Sequence, residues 1–189
     1  TMKDIRSRLL GTLALMLAAV PFCNALAQGY PVKPIRLIVP LAAGSTADIL
    51  SRTVGAELAK ALGQPVVVDN KPGAGGTIAM AELARAQADG YTIEFASQGT
   101  LVFKQALYSK PGYDSLKDFA PIILVGGVSN VMIVPPGSSS KTVMDVIAAA
   151  KAKPGMTFSS GGSGTSHHLS GVLFGQLSGT ELTHVPYKG

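Results

Sequence analysis

Apolar and polar residues alternate along this chain in blocks whose spacing switches from strand-like to helix-like and back. Ile35, Leu37, Ile38 and Val39 form an aliphatic run that stops at Pro40, and Ala42-Ala43-Gly44-Ser45-Thr46 is a small-residue turn. Leu50, Val54, Leu58 and Leu62 then recur every four residues up to Gly63. This predicts a strand, a tight loop and a helix whose leucine face packs on a sheet. Ser45 or Thr46 is placed to cap the helix, and Ser45 with Asp48 has the spacing of a capping box.

The order repeats. Residues 65–69 read as a strand covered on both faces, 70–76 as a loop, 77–86 as an alanine-rich helix, 91–96 as a third strand and 101–107 as a short helix. Three strand-helix units in succession predict a parallel α/β sheet. After an irregular stretch, residues 122–125 and 131–134 are predicted as strands around Gly126-Gly127. A helix over 142–152 follows, with Val143, Ile147 and Ala150 inward. Residues 156–159 read as a strand, 160–165 as a glycine-serine loop, 166–177 as a helix with Leu169, Leu173 and Leu177 on its packed face, and 182–185 as a strand. A boundary near residue 130 divides a first α/β domain, 28–130, from the start of a second, 131–189, which reads as unfinished.

Residues 1–27 read as a secretory signal: Lys3, Arg6 and Arg8 precede an apolar run over 9–20 and a small-residue cleavage site, Ala25-Leu26-Ala27. The expectation is export, with a mature chain that starts near Gln28. Cys23 is the single cysteine, and Phe22 before it disfavours lipid attachment, so the mature chain has neither disulfide nor thiolate chemistry. Of the net charge of +5, Lys3, Arg6 and Arg8 against Asp4 account for +2 and leave +3 for the remainder. Those charges are scattered and aromatics are few, which argues against nucleic acid. A mild positive balance suits small acidic ligands.

Candidate chemistry narrows by spacing. The Gly73-Ala74-Gly75-Gly76 loop has Ile78 where a dinucleotide fingerprint needs glycine, and no phosphate-loop lysine is present. Gly161-Gly162-Ser163-Gly164-Thr165 approaches a nucleophile elbow, which makes a secreted serine hydrolase using Ser163 the enzymatic alternative. Thr165 stands where the last glycine belongs, and no acid is evident to orient His167, His168 or His184. Adjacent histidines on a helix diverge by about 100°, so a zinc site is not expected. There remain the two loops that follow a strand and open a helix. Backbone N–H groups at such helix starts bind anions, and hydroxyls of Ser45, Thr46, Ser160 and Thr165 add donors. Neither loop contains Arg or Lys, so recognition is expected to rest on geometry and counted hydrogen bonds.

Several blocks resemble one family closely: Tyr30-Pro31 before Lys33-Pro34-Ile35-Arg36, Val39-Pro40 with Ala43-Gly44 and Asp48, the run from Gly63-Gln64-Pro65 through Asp69-Asn70-Lys71-Pro72 to Gly75-Gly76, Asp89-Gly90-Tyr91-Thr92, Ser159-Ser160-Gly161 with Gly164-Thr165 and His168-Leu169, and His184-Val185-Pro186-Tyr187-Lys188-Gly189. The chain is similar to the Bug-type periplasmic substrate-binding proteins of tripartite tricarboxylate transporters. The resemblance implies a periplasmic-binding-protein type II-like fold, two α/β domains with mixed, mainly parallel sheets, here with the second domain incomplete. It implies a non-enzymatic, monomeric solute-binding protein that captures a small carboxylate or related metabolite without a cofactor or metal and presents it to membrane permease subunits. A ligand-incompetent truncated fragment is the other reading.

By position, ligand contacts would come from Ala42, Ala43, Gly44, Ser45, Thr46 and Asp48, from Ser97, Gly99 and Thr100, and from Ser160, Gly161, Gly164 and Thr165. His168 is read as structural. The chain departs from the family where Leu41 replaces an aromatic, Gly44-Ser45 a glycine pair, and Leu101-Val102-Phe103 a more polar stretch. These changes imply a less polar far end of the cleft than a second carboxylate would favour.

Overall fold

In the computed structural model, residues 29–188 are described; the expected leader over 1–27 lies outside them. β1 (Ile35–Val39) is the central strand of a three-stranded sheet. It pairs in parallel with β2 (Val66–Asn70) on one side and β3 (Thr92–Glu94) on the other. Being flanked and covered, β1 holds the core: Ile35, Leu37, Ile38 and Val39 are all buried. β2 is not covered on both faces as its apolar run predicts; Val67 is 54% exposed, as suits an edge strand.

α1 (Thr46–Leu62) connects β1 to β2 and ends at Gly63, whose φ of 67° lies in the left-handed region open to glycine. Its packed face differs from the expected one. Asp48, Ser51 and Gly55 are buried, whereas Val54 is exposed. A repeat of four residues drifts by about 40° per step on a helix of 3.6 residues per turn, so a four-residue leucine ladder cannot stay on one face. Small residues take the contact instead: a Cβ on Gly55 would sit 3.3 Å from Val66 Cγ1 and 3.7 Å from Leu37 Cδ2.

α2 (Thr77–Leu83) contributes buried Ala79 and Met80 beneath the sheet. After β3 the chain makes one wide π turn over Gly99–Phe103 and continues as α3 (Lys104–Leu107). The Lys104 N–H reaches Gly99 O, and the Thr100 carbonyl accepts the Tyr113 hydroxyl.

The strands predicted at 122–125 and 131–134 do not form. The segment pairs with none of the strands among the described residues, and Leu124 and Ile133 are largely exposed. Asn130 anchors it to the following unit by bonding Ser170 and Ser166. α4 (Val143–Ala152) begins with a full capping box between Thr142 and Asp145. It turns Ile147 and Ala150 inward and leaves Val143 exposed, against expectation.

β4 (Met156–Ser160) and β5 (Leu182–Pro186) form a second parallel pair joined by α5 (Ser166–Ser178). Here too Leu173 and Leu177 point out, and Gly171 and Gly175 face the strands. The described residues from Lys33 onward form one packed unit containing both sheets.

Candidate functional site

Two junctions carry the predicted residues, and they share one hydrogen-bond plan. At the first, Ser45 caps α1 by accepting the Asp48 N–H at 3.3 Å, and the Asp48 carboxylate accepts the Gly44 N–H at 2.9 Å. This is not the box the spacing predicts, because the carboxylate reaches one residue further back than the cap. At the second, Thr165 accepts the His168 N–H at 3.4 Å, and His168 Nδ1 accepts the Gly164 N–H at 3.1 Å. An imidazole nitrogen that accepts carries no proton, so His168 is neutral with Nε2 protonated.

The electrostatics differ. Arg52, which bonds Asp48 at 3.1 Å, and then the Gly44 N–H hold the Asp48 carboxyl down at about 2. Burial, and secondarily the charge of Lys104, lower the pKa of His168. His184 is lowered by burial and then by His168, on which it stacks at 4.0 Å, with Phe158 on its flank at 5.0 Å. After these caps are counted, the N–H groups of Thr46 and Ala47 at one helix start, and of Ser166 and His167 at the other, make no hydrogen bond among the described residues.

Some of the predicted residues are brought together and some are not. Gly99 packs against the second loop, where a Cβ would lie 3.2 Å from Gly164 O and 3.3 Å from Thr165 Cα. Thr100 is buried beneath it and bonded to Ser97. The Ala42 N–H donates to Lys188 O at 3.2 Å, linking the first loop to the segment after β5. Ala43 and Gly44 face solvent, and no hydrogen bond among the described residues joins residues 43–48 to 160–165. Ser160 is buried, bonding Gly162 and, at 2.6 Å, His184 Nε2; Gly161 follows it at the loop's entry.

Ser163 is held by its carbonyl rather than its hydroxyl, and no histidine among the described residues bonds that hydroxyl. Among the described residues, the serine that meets a histidine is Ser160, and no carboxylate is bonded to the far nitrogen of His184. The described residues therefore assemble no triad at either serine.

Two contributors escape sequence reasoning. The loop after β2 enters the site through Gly75, whose Cα lies 3.3 Å from the place a Cβ on Gly162 would occupy. Lys104 is fully buried, and its Nζ donates to Ser163 O at 2.6 Å. A cation directly after the apolar run Leu101-Val102-Phe103 was the available signal.

Parallel strands feeding capped helix starts, with loops from both sheets in contact, define an α/β protein of the periplasmic-binding class, and the solved structures it resembles agree. Rpa4515 of R. palustris, solved with adipate, superimposes with a TM-score of 0.82 at 35% identity over 85% of this chain and 54% of that one. The periplasmic binding protein BugD gives 0.75 at 31% over the same shares. MatC of Rhodopseudomonas palustris, with bound malate, gives 0.73 at 29% over 85% and 55%. Residues 50–189 match the Tripartite tricarboxylate transporter family receptor, TctC, and the chain belongs to that family. It spans about half the length of the curated relatives it matches, 55% and 54% of two of them.

Proposed function

We propose that this chain is part of an extracytoplasmic solute-binding protein that captures a small carboxylate in the periplasm and delivers it to the permease subunits of a tripartite tricarboxylate transporter. It acts as a monomer and without catalysis. The observation that carries this reading is the pair of capped helix starts, each leaving two backbone N–H groups unspent beside loops that already touch. Such donors, with the positive end of the helix dipole behind them, suit a carboxylate better than a neutral solute. Adipate in one relative and malate in another support the same class of ligand. Ala42, Ala43, Gly44, Ser45 and Thr46 would line one jaw and Ser160, Gly161, Gly164 and Thr165 the other, with Ser97, Gly99 and Thr100 between them. Asp48 and His168 would shape these loops from behind, since both side chains are already engaged. Residues 131–189 would begin the second domain.

Thermal unfolding of the full-length protein against a panel of mono-, di- and tricarboxylates tests this. A saturable upward shift that follows RT ln(1 + [L]/Kd) is expected. A flat response across the whole panel would sink the reading.

A further inference from the structure

Lys104 is the one fully buried cation among the described residues, and no carboxylate among them lies within ion-pair distance of it. Its ammonium touches the Ser163 carbonyl at 2.6 Å and the Tyr108 hydroxyl at 3.3 Å, and lies 4.4 Å from the centre of the Tyr108 ring. An ammonium has three donors, and these contacts use two. Both neighbouring loops are shaped around it: a Cβ on Gly75 or on Gly164 would fall 2.8 Å from Nζ, so any side chain at either place would crowd the ammonium. The charge thus sits between the loop after β2 and the loop that opens α5, beside the helix start proposed to hold a carboxylate. A buried ammonium facing only neutral oxygens is costly, and the cost falls when an anion replaces one of them.

We propose that Lys104 is the charged clamp of this site and determines its specificity: when ligand enters, a second anionic group takes the place of the Ser163 carbonyl at Nζ. Backbone donors hold the first carboxylate, and Lys104 selects for ligands that carry another. On this proposal the segment after Gly99-Thr100 brings charge to the site through Lys104, although Leu101-Val102-Phe103 before it are apolar. This rests on the carboxylate reading above.

The test is isothermal titration of the full-length protein with matched acids of equal length: succinate against butyrate, glutarate against pentanoate, adipate against hexanoate. Wild-type protein should prefer at least one diacid over its monoacid by about tenfold or more. In Lys104→Met that preference should collapse to within about threefold, because diacid affinity falls further than monoacid affinity. Lys104→Gln should behave alike, and supplies the comparison if Lys104→Met does not fold. Equal wild-type affinity for both members of every pair would overturn the clamp and leave the carboxylate reading standing. So would equal loss of diacid and monoacid in the variants, which marks Lys104 as a structural tie. Failure of every acid to bind wild-type protein would overturn the carboxylate reading and the clamp with it.

Discussion

At Gly44-Ser45-Thr46-Ala47-Asp48 and at Gly164-Thr165-Ser166-His167-His168 the chain makes the same reciprocal cap, and the two differ in the group at the third helical position. A hydroxyl accepts that residue's N–H, and its side chain accepts the N–H of the glycine before the cap. In the first junction the acceptor is an anion, which offsets the positive end of α1 and is itself held by Arg52. In the second it is a neutral imidazole, so the positive end of α5 is unopposed, and Lys104 adds a full charge beside it. Equal counts of backbone donors therefore do not make equal anion sites. By charge alone, the second junction is the more favourable of the two to an anion.

Both junctions also rely on a helix that meets its strands through small residues, and here the largest difference is expected. A Cβ on Gly171 would lie 2.2 Å from the Phe158 ring, against 3.3 Å from Val66 Cγ1 for Gly55. Gly171→Ala should cost about 1–3 kcal/mol in urea unfolding, the usual penalty of overpacking. Gly55→Ala should change stability by less than about 1 kcal/mol, because the better helix former offsets a small squeeze. Similar costs at both positions would mean that the two helices are seated alike after all.

The caps themselves come next. Ser45→Ala and Thr165→Ala should each lose about 1 kcal/mol. A marked inequality between them in the same denaturation experiment would show that the shared hydrogen-bond plan is not shared in energy.

The smallest effect separates the two acceptors by pH. His168 is held below its ordinary value of 6.5, so the unfolded chain takes up the proton first. Its contribution is full above pH 6.5 and is lost as pH falls through the lower folded value. Asp48, held at about 2 against an ordinary 3.8, contributes above 3.8 and fades only toward 2. Glu94, in β3, works the other way. Burial first and Glu82 second raise it to about 8, so its contribution is full below 4.5 and is lost as pH rises through 8. Glu94 masks the absolute trend, and the informative quantity is the difference from wild type between about pH 7.5 and 5. His168→Gln should alter the slope of stability against pH in that window, whereas Asp48→Asn should leave it as it was. The same slope for wild type and His168→Gln would remove the electrostatic contrast between the junctions.

Much of the fold is legible in residue pattern. β1 lies where the aliphatic run places it, and the three-strand parallel sheet follows from alternating strand and helix signals. Helix starts are legible because Ser45 and Thr165 are strong caps. What pattern does not reveal is what each element packs against. Leu173 and Leu177 look like a core stripe, but Gly171 and Gly175 face the strands. Residues 122–125 and 131–134 have the propensity for strands, yet they join neither sheet, although each sheet has an outer strand with an unpaired side among the described residues. At the site, the glycine loops could be found from sequence, whereas Lys104 could not be placed. Its inward direction depends on how the helix beginning at Gly99 is wound, and composition says nothing of that.

That winding has a wider reach. In a regular α-helix Lys104 would spend its N–H on Thr100 O, and the buried hydroxyl of Tyr113 would compete for the same acceptor. The wide turn sends the Lys104 N–H to Gly99 and leaves Thr100 O to Tyr113. A single carbonyl thus splices two parts of the chain, the cleft-lining turn on one side and the irregular run toward residue 120 on the other. The cleft-lining turn and the connecting segment are thus tied at one acceptor, and a change in the position of the Thr100 carbonyl is felt by Tyr113.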